Sequence, residues 1–104
     1  MYIGSNADIT YTEITGYAIG VLNGGAITAF HHNNVYGNTQ YQFKNQRPVG
    51  RGGISLGNNW WGTTDLSAAP NLPFIYDYYD NLNSSAVDVT PILTAPEPTA
   101  GDPD

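Results

Sequence analysis

The chain has 104 residues, enough for one domain with a modest core. Only 12% of the residues are charged, the formal net charge is -6 and three residues are basic, so the phosphate contacts of a nucleic-acid-binding protein cannot be assembled. No apolar run approaches the roughly 20 residues that span a bilayer, and no signal-peptide pattern opens the chain. We therefore expect neither nucleic acid nor membrane as a partner, and the lack of cysteine fits any redox compartment.

Short β-strands separated by tight turns are predicted along the chain. Apolar and polar residues alternate at 9–11, 27–29 and 54–56, which is typical of half-buried strands. Clusters of glycine and asparagine lie between these pieces, and both residue types tolerate the positive φ angles of turns. Helical periodicity is almost absent, so the sequence predicts an all-β protein.

The strand pieces also recur, with a period of about 20 to 25 residues. Three columns of equivalent positions are Ile9, Ile27 and Ile54; Ile14, Val35 and Trp60; and Ile3, Ile19 and Phe43. The second column aligns Asn33-Asn34-Val35 with Asn58-Asn59-Trp60. Such a repeat predicts a solenoid of about three coils, in which strands pair in parallel and equivalent residues stack.

Four segments carry a family resemblance: ITAFHHNNVYGNTQYQF (27–43), NNWWGTTD (58–65), FIYDYYDN (74–81) and VDVTPILTAP (87–96). They are similar to the C-terminal end of right-handed parallel β-helix proteins of the pectin-lyase-like superfamily, especially large exported bacterial repeat proteins. The resemblance covers residues from about 9 to 96. It implies a short right-handed parallel β-helix, closed at its C-terminal end by a cap that contains a short helix and a wrapped strand. It implies little about activity, because one fold serves many functions.

The predicted organisation is a truncated β-helix with its cap over 1–94, followed by a disordered tail over 95–104 that is rich in proline and acidic residues. Enzymes that this chain resembles are several times longer. We therefore expect a fragment of a larger exported protein, for which the resemblance implies an extracellular or cell-surface location.

The adjacent tryptophans allow two interpretations. Trp60 continues the column of Ile14 and Val35, so we expect it to plug the open end of the core. Trp61 has the opposite parity and should face outward or pack under nearby tyrosines. An exposed cluster would stack on sugar rings, whereas a buried one would close the core. The predicted carbohydrate-binding residues are Trp61, Tyr76, Tyr78 and Tyr79.

A carbohydrate-active enzyme, either a glycoside hydrolase or a polysaccharide lyase, is the alternative function. Four aspartates of the predicted cap could supply the carboxylate pair of a hydrolase: Asp65, Asp77, Asp80 and Asp88. Lyases that this chain resembles combine carboxylate-bound calcium with an arginine base. Arg47 and Arg51 could supply that base, but no Asp or Glu lies between Glu13 and Asp65 to hold the calcium.

Metal binding has one further candidate, the adjacent pair His31 and His32. Neighbouring residues of a strand point to opposite sides, so a metal site there would need a carboxylate from another coil. The sequence thus favours a non-catalytic structural or carbohydrate-binding module, without catalytic residues, metal or cofactor, whose partner would be a polysaccharide.

The sequence of the first coil predicts that two copies of the protein associate. Its strands carry neither proline nor lysine to protect an open sheet edge. A two-fold homodimer would close that edge with one self-complementary contact. The predicted interface residues are Tyr2, Ile3, Ile9 and Tyr11. The alternative is a monomer whose N-terminal residues fold back over the opening.

Overall fold

The computed structural model describes residues 1–101, which form short β-strands with almost no helix. The strands are β1 (Tyr2–Ile3), β2 (Ala7–Thr10), β3 (Glu13–Ile14), β4 (Ile19–Asn23), β5 (Ile27–His31), β6 (Asn34–Val35), β7 (Tyr41–Asn45), β8 (Ile54–Ser55), β9 (Ile75–Tyr76) and β10 (Val87–Asp88). A single 3-10 turn, Val49–Arg51, is the only helical element in this part of the chain. The all-β class predicted from the sequence is confirmed.

The strands pair in small parallel sheets. One sheet has four strands in the order β1-β4-β7-β9, and the other three sheets pair β2 with β5, β3 with β6, and β8 with β10. Every pairing between these strands is parallel. The chain visits three sheets in the same order twice, first with β1, β2 and β3 and then with β4, β5 and β6; afterwards β7 and β9 extend the four-stranded sheet, while β8 and β10 form a sheet of their own. Tyr2 and its partner Leu22 are 20 residues apart, within the predicted period, whereas Phe43 and its partner Ile75 are 32 residues apart, outside it.

The core lies between these sheets and follows the alternation of the strands. Val21, Phe43 and Ile75 occupy paired positions in β4, β7 and β9, and at most 2% of each is exposed. Burying a side chain of this size stabilises the fold by about 1.5–3 kcal/mol relative to leaving it exposed. The remaining buried apolar residues are Ile3, Ile14, Phe30, Val35, Ile54, Leu56, Trp61, Leu72, Val89 and Ala100.

The predicted columns are only partly correct. The pair Ile14 and Val35 is confirmed, because the two residues are direct partners in β3 and β6. The other two columns are out of register: Ile9 pairs with Phe30, and Ile3 pairs with Asn23. Matching isoleucine to isoleucine was misleading, since many apolar side chains can fill the same inward position.

Hydrogen bonds of buried asparagines determine how successive repeats align, which the apolar residues alone do not determine. The Asn23 carboxamide nitrogen donates to the Asn45 carboxamide oxygen at 3.1 Å, and Asn45 donates in turn to the Ser85 carbonyl at 2.8 Å. Asn59 accepts from the Asn33 amide at 3.1 Å. All four asparagines have 0% exposure. A carboxamide can both donate and accept hydrogen bonds. The stacked asparagines therefore bond the backbone N–H and C=O groups of the turns, which have no partner in a neighbouring strand.

The C-terminal region differs from the predicted cap. Residues 61–101 contain turns and the strands β9 and β10, and no helix. Ile75 continues the inward column of Phe43, so the segment 74–81 begins by adding a strand to the four-stranded sheet. The predicted short helix of the cap is therefore wrong for these residues, because Ile75 falls in register with Phe43 of the adjacent strand.

Residues 95–101 pack against earlier strands, where the sequence predicts a disordered tail. The Asn34 carboxamide accepts from the Glu97 amide at 2.7 Å and donates to the Glu97 carbonyl at 3.0 Å. The Gly101 amide donates to the Tyr11 carbonyl at 2.9 Å, and Ala100 is 7% exposed. The composition of residues 95–101 alone could not show that Glu97 bonds to Asn34, which lies 63 residues earlier in the chain. The rest of the predicted tail, residues 102–104, lies outside the described part of the chain.

Candidate functional site

Trp61, predicted as an outward residue, is part of the core. Its side chain is 2% exposed, and its ring lies 5.9 Å from Phe74, 6.4 Å from Phe30 and 6.5 Å from Phe43, measured between centroids. The stacked and edge-on arrangements in this cluster are those that aromatic pairs prefer. Trp61 therefore cannot stack on a sugar, and its assignment as a carbohydrate-binding residue is wrong.

Trp60, predicted to plug the core, is only half-buried and occupies an outward-facing position of its strand segment. It forms a parallel bridge with Asn34, so Trp61 and not Trp60 follows the inward position of Val35. The cause is the hydrogen bond between Asn33 and Asn59, which makes these two asparagines equivalent. The predicted alignment was shifted by one residue, and in a strand such a shift moves every side chain to the opposite face.

Tyr76 lies on the outer side of the four-stranded sheet, in a row with Tyr2, Leu22 and Lys44. The Lys44 Nζ lies 4.8 Å from the centre of the Tyr76 ring, a cation–π contact. The Tyr41 ring meets it edge-on at 5.5 Å. These contacts hold Tyr76 in place and leave it half-buried.

Tyr78 and Tyr79 are the most exposed of the predicted sugar-binding tyrosines, at 36% and 45%. Their ring centroids lie 5.4 Å apart with the planes at 87°. Perpendicular rings cannot form one flat platform, so each ring offers its own face to a ligand. Tyr78 and Tyr79 can therefore contact ligands on two different surfaces of the protein.

Tyr79 borders a cleft of about 540 Å³, here named the Tyr79 cleft. Its floor comes from β8 and β10, and its opposite wall comes from the loop over 66–72. Leu66 and Leu72 supply apolar surface, while Ser55 and Asp88 supply polar groups. A concave, largely apolar site with a few polar groups is the usual form of a small-ligand pocket. Sequence reasoning found Tyr79 but missed the cleft; the leucines within a proline-containing loop were the available signal.

The carboxylates of the C-terminal region hold turns. Asp77, 2% exposed, accepts from the Val87 amide at 2.8 Å and from the Tyr79 amide at 3.2 Å. Burial raises the pKa of Asp77, against the opposing effect of these hydrogen bonds. Asp80 accepts from the Asp77 amide at 3.1 Å.

Asp65 and Asp88 are exposed and also cap turns. Hydrogen bonds from Ser67 lower the pKa of Asp65, and those from Thr90 lower the pKa of Asp88. The Asp88 carboxylate accepts from the Thr90 hydroxyl at 2.6 Å and from its amide at 2.9 Å. Each of the four aspartates considered for the alternative enzyme function thus has a structural partner close in sequence or space.

His31 and His32 do not point to opposite sides. Their Nδ1 atoms lie 2.7 Å apart, within hydrogen-bond distance. The reason is the φ of +56° at His32, a left-handed conformation that interrupts strand alternation. The Tyr11 ring stacks on His32 at 5.1 Å. Within residues 1–101, no group of three His, Asp or Glu side chains is arranged to hold a metal ion.

The predicted interface residues of the first coil occupy different environments. Tyr2 is 71% exposed and Tyr11 is 47% exposed, whereas Ile9 is partly buried against the core. Ile3 is 4% exposed, so its side chain cannot contribute to an interface and that assignment is wrong. It is buried because it faces inward from β1.

The strands β1, β2 and β3 each lie at the end of their sheet among the described residues, which leaves one side of each without a strand partner.

No helix in residues 1–101 has the length and apolar character to cross a bilayer. Comparisons with protein-family models, curated proteins and solved structures find no match to this chain.

Proposed function

We propose that this protein is a short right-handed parallel β-helix, similar to the pectin-lyase-like proteins, that acts as a non-catalytic structural or carbohydrate-binding module within a larger exported protein. The parallel sheets, of which β1 to β6 visit three twice in the same order, and the stacked asparagines support this fold. Right-handed crossovers between parallel strands are the general rule, which supports the handedness.

The Tyr79 cleft is the observation that carries carbohydrate binding. A sugar ring combines apolar C–H faces with hydroxyl groups, and the cleft combines an exposed aromatic ring with Ser55 and Asp88. Tyr79 would stack on a ring face, while the carboxylate and the hydroxyl would bond its hydroxyl groups. Tyr76 and Tyr78 lie outside this lining and would contact only a longer glycan.

The alternative, a lyase or glycoside hydrolase, has less support. Hydrolysis by the usual mechanism needs two carboxyl groups on opposite sides of the bond. Asp88 is the one carboxylate among the described residues that line the Tyr79 cleft. Release of new reducing ends or of unsaturated sugar by the purified protein, abolished in Asp88→Asn, would favour the enzyme over the binding module.

Replacing Tyr79 by alanine is the first test of this proposal. Retention on an insoluble polysaccharide should fall on the order of five- to tenfold, because a stacking contact contributes about 1 kcal/mol. The melting temperature should change little, since the ring is 45% exposed. Tyr17→Ala is the matched control, a tyrosine 56% exposed and outside the cleft lining. Equal retention of both variants, or no retention of the parent on any glycan, would reject the site.

Self-association through the first strands is the second part of the proposal. The free sides of β1 and β2 and the exposed Tyr2 and Tyr11 support a two-fold contact. Sedimentation equilibrium at micromolar concentration should give a dimer mass. Tyr2→Lys should return the monomer by placing two like charges in the contact, whereas Leu82→Lys, at a residue of the C-terminal region that is 70% exposed, should not. A monomeric parent, or a dimer that Tyr2→Lys leaves intact, would contradict the interface.

A further inference from the structure

Three turns that follow successive strands of the four-stranded sheet enclose a second cleft, here named the arginine cleft. The turns over 4–6, 24–26 and 46–53 follow β1, β4 and β7. The cleft has a volume of about 620 Å³ and shares no lining residue with the Tyr79 cleft. Its lining residues are Gly4, Ser5, Asn6, Gly24, Gly25, Ala26, Arg47, Pro48 and Arg51.

Backbone contacts hold the first two turns close together. The Gly24 amide donates to the Ile3 carbonyl at 2.8 Å, continuing the pairing of β1 with β4. A Cβ at Gly25 would lie 2.8 Å from the Gly4 carbonyl carbon and the Ser5 amide nitrogen. Position 25 therefore requires glycine, and the resulting close approach sets one wall of the cleft.

The third turn brings two of the three basic residues of the chain to the opposite wall. The Arg47 Nη2 donates to the Arg51 carbonyl at 2.7 Å, which fixes the orientation of the guanidinium. Arg47 Nε is buried and has no hydrogen-bond partner among the described residues. No carboxylate occurs among the lining residues, although the whole chain carries a net charge of -6. The cleft is thus a local concentration of positive charge and hydrogen-bond donors in an acidic protein.

We propose that the arginine cleft binds a tetrahedral oxyanion, sulfate or phosphate, either as the free ion or as an ester on a sugar. Arginine pairs favourably with such groups because its planar guanidinium donates two parallel hydrogen bonds. The Ser5 hydroxyl and the Asn6 carboxamide add donors from the opposite wall. Donors on two walls suit a group with oxygens in several directions, whereas a carboxylate presents both oxygens on one side.

Binding of two probes to the intact chain tests this proposal. Inorganic sulfate, titrated at low ionic strength and followed by amide chemical shifts, reports the free ion. Dextran sulfate, with neutral dextran as its control, reports an ester on a sugar, and hyaluronate reports a carboxylate polymer. Arg47→Gln and Arg51→Gln should each weaken binding about tenfold or more, because each removes a charge-assisted contact. Lys44→Gln, which removes the third cation outside the cleft, should bind like the parent.

Thermal melting of each variant separates loss of the site from loss of the fold. Sulfate binding without dextran sulfate binding would assign the free ion, and arginine-dependent binding of dextran sulfate would assign the ester. Equal affinity for hyaluronate would overturn the tetrahedral preference. No binding of either sulfate probe, or equal weakening by Lys44→Gln, would overturn the site. None of these outcomes depends on the Tyr79 cleft, so the two proposals fail independently.

Discussion

Replacing Trp61 by alanine is expected to lower the free energy of unfolding by about 3–5 kcal/mol, the range for truncating a large aromatic residue in a core. The ring is 2% exposed and contacts three phenylalanines from different parts of the chain. Its removal would leave a cavity that the surrounding strands cannot close, because their backbone is fixed by parallel pairing. A urea titration of the purified domain measures the loss.

Trp60→Ala is the matched control for this prediction. Trp60 is half-buried, and the bridge it makes with Asn34 uses backbone atoms that alanine retains: its amide donates to the Asn33 carbonyl at 2.9 Å. We therefore expect a markedly smaller loss of stability at position 60. Equal losses at the two positions would mean that the register of this segment is different from that described.

The register of the double tryptophan shows why sequence alone assigned the wrong face. Two asparagines precede the apolar residue in each repeat, at 33–34 and at 58–59, so the segments can be aligned in two ways. The predicted alignment matched the asparagine pairs directly. The structure instead makes Asn33 equivalent to Asn59, because in that alignment the buried Asn59 carboxamide accepts from the Asn33 amide of the preceding turn at 3.1 Å. Composition predicted the strands, but a hydrogen bond decided the register.

The candidate sites were harder to predict than the fold class, because their walls come from distant segments. Tyr79 follows from the concentration of aromatic residues in the C-terminal part of the sequence, yet its cleft also needs Ser55 from β8 and Leu66 from a separate loop. Arg47 and Arg51 were considered only as a catalytic base. Their cleft exists because turns about 20 residues apart lie side by side, which requires the strand register and not only the strands.

The histidine pair shows a local limit of the same reasoning. Alternation along a strand predicts opposite directions for adjacent side chains. Tyr11, His32 and Asn58 all have positive φ: the first two lie between consecutive strands, and Asn58 lies just before the bridge formed by Trp60. Asparagine and histidine adopt this conformation more readily than most residues, so the turn was detectable at His32 in principle.

Replacing Asn59 by alanine is expected to lower the free energy of unfolding by about 3–5 kcal/mol, although no apolar surface is lost. Its carboxamide nitrogen donates to the Phe30 and Leu56 carbonyls, each at 3.0 Å, and its oxygen accepts from the Asn33 amide at 3.1 Å. The side chain is 0% exposed, so water cannot replace these bonds without entering the interior. Each buried backbone group left unpaired costs about 1–3 kcal/mol, and neighbouring losses are not additive.

Asn71→Ala separates this effect from the general consequences of removing an asparagine. Asn71 is exposed, and its backbone amide bonds the Ala68 carbonyl at 3.1 Å, a contact that alanine preserves. Its loss should be within about 0.5 kcal/mol of zero, as for most surface substitutions. Chemical denaturation of both variants gives the comparison, and native-state hydrogen exchange should show faster exchange at the Asn33 amide in Asn59→Ala. If the two variants are equally stable, the buried asparagines do not determine the register, and the alignment of the repeats must rest on the apolar columns alone.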